Sequence, residues 1–176
     1  MTNRLAALLL LALASVGCAR MVQGRVLDAE TRQPIQGAVV VGVWTTLSGL
    51  PGLHSHKLVG VRETETDADG RFALERLRSS GLDGEGDGQA ITVYKFGYVA
   101  WSNLFVFPPL RLRQDQDVPG EILLQRFPEG LSRQRHLLFI GDATGSAMGY
   151  GHERIPRLRD ALRPELQLQE REGSQR

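Results

Sequence analysis

Three stretches decide the fold: VQGRVLD (22–28), PIQGAVVV (34–41) and TETDADGRF (64–72). The first alternates Val22, Gly24 and Val26 against Gln23, Arg25 and Leu27, a period of two that specifies a strand. Residues Asp28 to Gln33 form a polar hairpin loop. Pro34 pre-sets the exit from that loop, and Gly37 permits a backbone geometry that other residues resist. A second, valine-rich strand follows from Ala38 to Thr46. The Asp69-Gly70 step reads as a tight turn between a strand over Leu58–Thr66 and one over Arg71–Leu74. This grammar specifies a small β-sandwich and no particular reaction.

Working outward, Leu47 to His56 holds Gly49, Pro51 and Gly52 and reads as a loop. Ser79 to Gln89 has four glycines and three acids and reads as a mobile loop that cannot offset its ordering entropy by burial. Further strands are expected over Ala90–Tyr98, Ser102–Phe107 (stopped by Pro108-Pro109) and Glu121–Gln125. The expected fold is therefore all-β, a seven-stranded Ig/transthyretin-like sandwich over residues 22–127. Residues 128–176 form a C-terminal extension. In it, His136–Ile140 is a short apolar run and Gly141–Gly151 is Gly-rich. A helix is expected near 153–171, with Ile155, Leu158, Ala161 and Leu162 on one face. Pro156 suits its start, and Pro164 should break or kink it. Pro128 and Gly130 mark the junction, and the extension reads as separable from the sandwich.

Length and charge bound the class. A chain of 176 residues is one domain with appendages, large enough for a core without staples. Its 21 basic and 20 acidic side chains nearly cancel, which gives no electrostatic case for nucleic acid as a partner. Residues 1–17 read as a signal peptide: Arg4 is a one-charge leader, and Leu5–Val16 is an apolar run of about a dozen residues, short of the roughly twenty that span a bilayer.

Small residues Ser15-Val16-Gly17 lead directly into Cys18, the only cysteine. This resembles the bacterial lipoprotein signal, with Ser15 where that signal usually has Leu. The resemblance implies a lipidated Cys18 as the new N-terminus, with the membrane as partner. Ala19 after it implies the outer membrane, facing the periplasm. The rival reading is cleavage after Ala12-Leu13-Ala14, leaving Cys18 as a free thiol. A single cysteine excludes an intramolecular disulfide. The tether, 18–21, is short, roughly 13 Å when extended, so the first strand should lie close to the lipid.

Gly24-x-Val26-x-Asp28, Pro34-Ile35-x-Gly37-Ala38-x-Val40, Thr66-Asp67-x-x-Gly70-x-Phe72 and Gly97-Tyr98 occur in that order. Together they resemble the carboxypeptidase regulatory-like domain, a transthyretin-like sandwich, over roughly Val22–Leu124. The insertion at Leu47–Val61, the Gly-rich loop and the C-terminal extension depart from that family. The resemblance implies a folding or interaction unit with no catalytic residues, acting on an envelope protein or glycan partner.

Candidate chemistry is sparse. His54 and His56 share a face on an extended segment and make a usable metal chelate, but no third ligand stands at a readable spacing. Asp67, Asp69 and Gly70 lack the later acids of a calcium loop. No zinc-peptidase His-Glu pattern and no Gly-x-Ser-x-Gly elbow occurs. The expectation is no enzyme, no cofactor and no required metal. Two alternatives stay open. One is a carbohydrate-binding module that stacks ligand on Trp44 and Trp101. The other is a small metal-dependent hydrolase built on His54 and His56. Packing competes with stacking for the tryptophans, and simple solvation competes with ligation for the histidines.

Overall fold

The computed structural model describes residues 21–50, 53–77, 88–108, 118, 120–145 and 152–174. Cys18, the signal peptide, most of the tether and nearly all of the Gly-rich loop lie outside the described residues. Among the described residues seven strands occur: β1 Met21–Asp28, β2 Val39–Leu50, β3 Leu53–Glu65, β4 Arg71–Glu75, β5 Gly88–Tyr94, β6 Trp101–Ser102 and β7 Glu121–Leu124. Two helices follow, α1 Arg133–Ala143 and α2 Pro156–Ser174, with a 3-10 turn at His152–Arg154 between them.

The strands form two sheets, ordered β4-β1-β7 and β3-β2-β5-β6. β1 runs antiparallel to β4 and parallel to β7, so the first and last strands lie side by side. Between the sheets, Val22, Val26, Phe72, Leu74, Ile122 and Leu124 meet Val40, Trp44, Ile91 and Val93. Gly42 makes room for this packing, because a Cβ there would collide with the Trp44 ring and with Leu74. At the opposite end, Gly70 takes φ +74, and a Cβ on it would run into the Val26 carbonyl oxygen.

Two expectations change in the sheets. Of the expected loop Leu47–His56, the described residues 47–50 and 53–56 are strand. β2 and β3 continue through it as a paired hairpin, from Thr46↔Lys57 out to Leu50↔Leu53. Glycines at 49 and 52 and Pro51 suggest a break, yet the pairing partner is only a few residues away and captures the backbone hydrogen bonds. The segment from Ser102 to Phe107 is the reverse case: only Trp101–Ser102 pairs, and β5 stops at Tyr94. The Asn103 side chain takes the place of further ladder, accepting from Ile91 N–H at 2.7 Å and donating to the Gln89 carbonyl at 3.0 Å.

The C-terminal extension also differs. The run at His136–Ile140 belongs to a helix, α1, capped by Ser132, whose hydroxyl accepts from Arg135 N–H. α2 starts at Pro156 as expected and continues through Pro164. Nor does the extension stand apart. Val39, Val41, Val43 and Tyr94 point away from the sandwich interior into a second core with Phe139, Ile140, Ala143, Ile155, Leu158 and Leu162. The helices therefore form a third layer over the four-stranded sheet. The expectation of separability meets a physical obstacle: removing the helices would bare a continuous apolar face.

Candidate functional site

The described residues that gather titratable chemistry lie in two hydrogen-bonded networks, neither of which contains a predicted site residue. The first joins three elements of the second core, β5, α1 and α2. His136 on α1, Glu165 on α2 and Tyr94 on β5 are each at most 1 % exposed. Ala100 N–H donates to His136 Nε2 at 2.8 Å, so that nitrogen carries no hydrogen and Nδ1 does. Nδ1–H then donates to Glu165 Oε1 at 2.6 Å. The second carboxylate oxygen accepts from the Tyr94 hydroxyl at 2.8 Å. Burial first, and then the Glu165 carboxylate, push the Tyr94 hydroxyl far above the usual tyrosine range, which keeps it a donor. The rings of Phe107 and Phe127 pack on the imidazole at 5.2 and 5.0 Å. A His–Glu–Tyr chain is capable of proton transfer, but here every polar atom is satisfied by protein and the aromatic rings shut out substrate. Its work is to fix two helices on the sheet.

Further contacts complete that fixation. Glu63 on β3 accepts from the backbone N–H groups of Arg157 and Leu158 at 3.0 and 2.9 Å, an anion placed on the first turn of α2. Thr92 donates to the Ala143 carbonyl at the end of α1. Arg133 meets Glu172 just as His136 meets Glu165, so the helices run antiparallel.

The second network organises the end of the sandwich opposite the β2–β3 hairpin. Asp28 Oδ1 accepts from Glu30 and Thr31 N–H, and Oδ2 accepts from the Tyr98 hydroxyl and faces Arg126 at 3.0 Å. The Thr31 N–H does most to hold its carboxyl down at about 2, with Tyr98, Glu30 and Arg126 adding to it against the cost of burial. Burial and the same hydrogen bond raise Tyr98. Nearby, the Thr66 hydroxyl donates to the Ile35 carbonyl and accepts from Ala38 N–H, while Asp67 accepts from Asp69 and Arg71 N–H. These ordered motif residues build turns.

The predicted site residues fare differently from one another. Trp44 and Trp101 are 2 % and 8 % exposed, so neither offers a stacking platform. Alternation on strands that face the sandwich core turned both rings inward. The Trp44 Nε1 has no hydrogen-bond partner among the described residues. His56 is exposed on β3 opposite Leu47, and the backbone of His54 lies opposite Gly49, so the pair sits on a strand rather than in a loop. The side chain of His54 is outside the described residues, as is Cys18. Among the described residues no group of three His, Cys, Asp or Glu could hold a metal.

An open groove of about 730 Å³ runs beside β1 and β4, lined by Arg25, Arg71, Glu65, Asp67 and Glu121 among others. Its acids are engaged elsewhere: Asp67 in its turn, Glu65 with Arg157 and Glu121 with Arg32. Elsewhere, among the described residues, β2 pairs with β5 as far as Thr45↔Gly88 and with β3 out to Leu50↔Leu53. Among the described residues no helix is long and apolar enough to cross a membrane.

Sequence reasoning missed His136 and Glu165 because 29 residues separate them and no motif joins them. A signal existed: Glu165 interrupts the apolar stripe of Ile155, Leu158 and Leu162, and His136 opens an apolar run. A polar residue on a buried stripe asks for a partner.

No family model matches the chain, and no curated protein matches it. Among solved structures it is similar to a streptococcal ancillary pilin, at 16 % identity and a TM-score of 0.31. The alignment covers 62 % of this chain and 30 % of the pilin chain, so this chain aligns with under a third of the pilin's length.

Proposed function

We propose that this protein is a lipid-anchored envelope protein, held by Cys18 at the outer membrane and facing the periplasm. Its sandwich serves as a non-catalytic binding or scaffolding module for an envelope protein or glycan. The observation that carries the reading is the position of the only cysteine: it closes an apolar run and stands three residues before β1 begins at Met21. The Ig/transthyretin-like reading and the likeness to carboxypeptidase regulatory-like domains belong to the same proposal. Supporting them are the split into three and four strands, the parallel β1–β7 pair and the turn-building role of Asp28, Thr66, Asp67 and Tyr98. A binding role fits a fold whose His, Glu and Asp networks are consumed by packing.

The test is fractionation of cells expressing Cys18→Ser. The substituted chain should accumulate as uncleaved precursor or as soluble protein, while the wild type partitions with the outer membrane and takes up labelled fatty acid. Normal processing and membrane partitioning of Cys18→Ser would defeat the anchor reading.

A further inference from the structure

β4 is an edge of the three-stranded sheet, and among the described residues no strand pairs with its outer side. The register decides which of its backbone groups face outward. Val26 N–H donates to the Gly70 carbonyl, so Phe72 and Leu74, in step with Gly70, are the residues that bond to β1. Arg71, Ala73 and Glu75 turn their N–H and C=O groups away from β1. Both groups of Arg71 are engaged by the Asp67 turn, the N–H by the carboxylate and the carbonyl by the Asp67 N–H. Those of Ala73 stand at the open edge, where the groove of about 730 Å³ takes Arg71, Phe72 and Ala73 into its lining. The side chains of Arg71, Ala73 and Glu75 are exposed. An unpaired edge is a template for another strand.

We propose that β4 pairs antiparallel with β4 of a second copy of this chain, about a two-fold axis through Ala73. The strand, RFALE at 71–75, is charge-complementary to itself in that register. Arg71 falls opposite Glu75 of the second copy, and Glu75 opposite its Arg71. Ala73 meets its own counterpart as a hydrogen-bonded pair, each N–H donating to the other carbonyl, and the small methyl lets the backbones approach. Arg71 is the residue that asks for this contact. Within its own sheet it stands opposite Arg25, a like-charged neighbour on the same face. Among the described residues no carboxylate pairs with its guanidinium, because Asp67 accepts from backbone, Glu65 meets Arg157 and Glu121 meets Arg32. Glu75 meets only Arg62, at 3.4 Å and in water, so it can take a second cation. The pairing makes a six-stranded sheet, β7-β1-β4-β4-β1-β7. Its axis stands normal to the sheet, so both copies turn the same wet face one way. The two N-termini then lie at equal height above that face, as two anchors in one bilayer require. A contact of this kind uses the same patch on both copies and closes as a dimer. The pairing does not depend on acylation of Cys18.

The test uses the chain from residue 18 onward with Cys18→Ser, so that an introduced cysteine is the only thiol. Ala73→Cys should give a disulfide-linked dimer under mild oxidation, since a hydrogen-bonded antiparallel pair holds its Cα atoms about 5.5 Å apart, within disulfide reach. Gln23→Cys is the control. Gln23 is exposed and pairs with Ala73, but it stands one strand in from the edge. Its two copies would lie about 14 Å apart, too far to bridge. The Ala73→Cys yield should exceed the control about tenfold. Adding Arg71→Glu or Glu75→Arg alone sets like charges opposite each other and should lower the yield about fivefold. Adding both exchanges the signs together and should restore it. Equal yields from the two cysteines, or a double exchange that stays as low as the single ones, would overturn the proposal. Restoration by the double exchange would uphold it, because neither chance collision nor contact through another surface produces that pattern.

Discussion

The two sheets of this sandwich draw on similar residues, yet they follow different rules. In β4 and β7 exposure alternates residue by residue, with Phe72, Leu74, Ile122 and Leu124 inward and their neighbours in water. In β2 every residue from Val39 to Thr46 is buried, and in β5 so is every residue from Ile91 to Tyr94. The three-stranded sheet has one wet face. The central strands β2 and β5 of the four-stranded sheet have none, because α1 and α2 cover their outer side, while the edge strand β3 keeps exposed residues such as His56 and Arg62. A sheet buried on both faces reads as a continuous apolar run, the pattern usual in parallel sheets sheathed by helices, here on an antiparallel one. The lesson is that VVVGVW at 39–44 was already a statement about a missing layer.

The largest expected effect is the loss of that layer. A chain ending at Glu129 should fail to unfold cooperatively and should aggregate, because Val39, Val41, Val43 and Tyr94 would face water together. Size-exclusion chromatography and a urea titration would show it. A monomeric, cooperative product would erase the contrast between the sheets.

Next comes the network under the helices. Glu165→Ala strands the His136 Nδ1–H and the Tyr94 hydroxyl, two buried donors, at a cost of about 3 kcal/mol. Tyr94→Phe leaves the buried Glu165 Oε2 without its donor while Oε1 stays bonded to His136, so about 2 kcal/mol is expected. Urea midpoints would rank them. Equal losses would mean that the carboxylate is solvated rather than sealed.

A matched pair of substitutions sharpens the contrast directly. Val41→Thr adds a hydroxyl beneath the helices and should cost about 2 kcal/mol. Ala73→Ser adds one on the wet face of β4 and should stay within about 0.5 kcal/mol. The difference between the two in thermal or urea unfolding measures the cover itself.

The last effect lies at the end of the three-stranded sheet and is read in the pH profile of stability. Asp28 sits at about 2 in the fold against an ordinary value of 3.8. As pH falls, the unfolded chain therefore takes up the proton first. The contribution of Asp28 is complete above about pH 4 and is lost as the pH falls toward about 2. Asp28→Asn should flatten that part of the stability profile, measured by urea midpoints from neutral to acid pH. An unchanged acid limb would remove Asp28 from the account.

Much of the three-stranded side was legible in the chain. Its strands alternate, its turns carry Asp28, Gly37, Asp67 and Gly70, and each of these acts locally through backbone geometry or a hydrogen bond to a near neighbour. The four-stranded side was less legible. Glycines and Pro51 near the hairpin tip spoke for a loop, but two long strands in register outweighed them. Trp44 and Trp101 could not be assigned to core or surface from their types, since alternation alone does not say which face of a sheet is covered. His136 and Glu165 carried no shared motif, because their meeting depends on how two helices cross one sheet.

Sequence by itself determined the local decisions: where strands start, where φ turns positive, that the chain holds one cysteine after an apolar run, and that β2 is rich in valine. Tertiary structure decided what covers β2 and which buried polar atoms find each other. The division is physical. Turn geometry and strand alternation depend on neighbours within a few residues, which the sequence states outright. Burial of a face and pairing of His136 with Glu165 depend on contacts between residues far apart in the chain, fixed only when the helices pack on the sheet and exclude water from both.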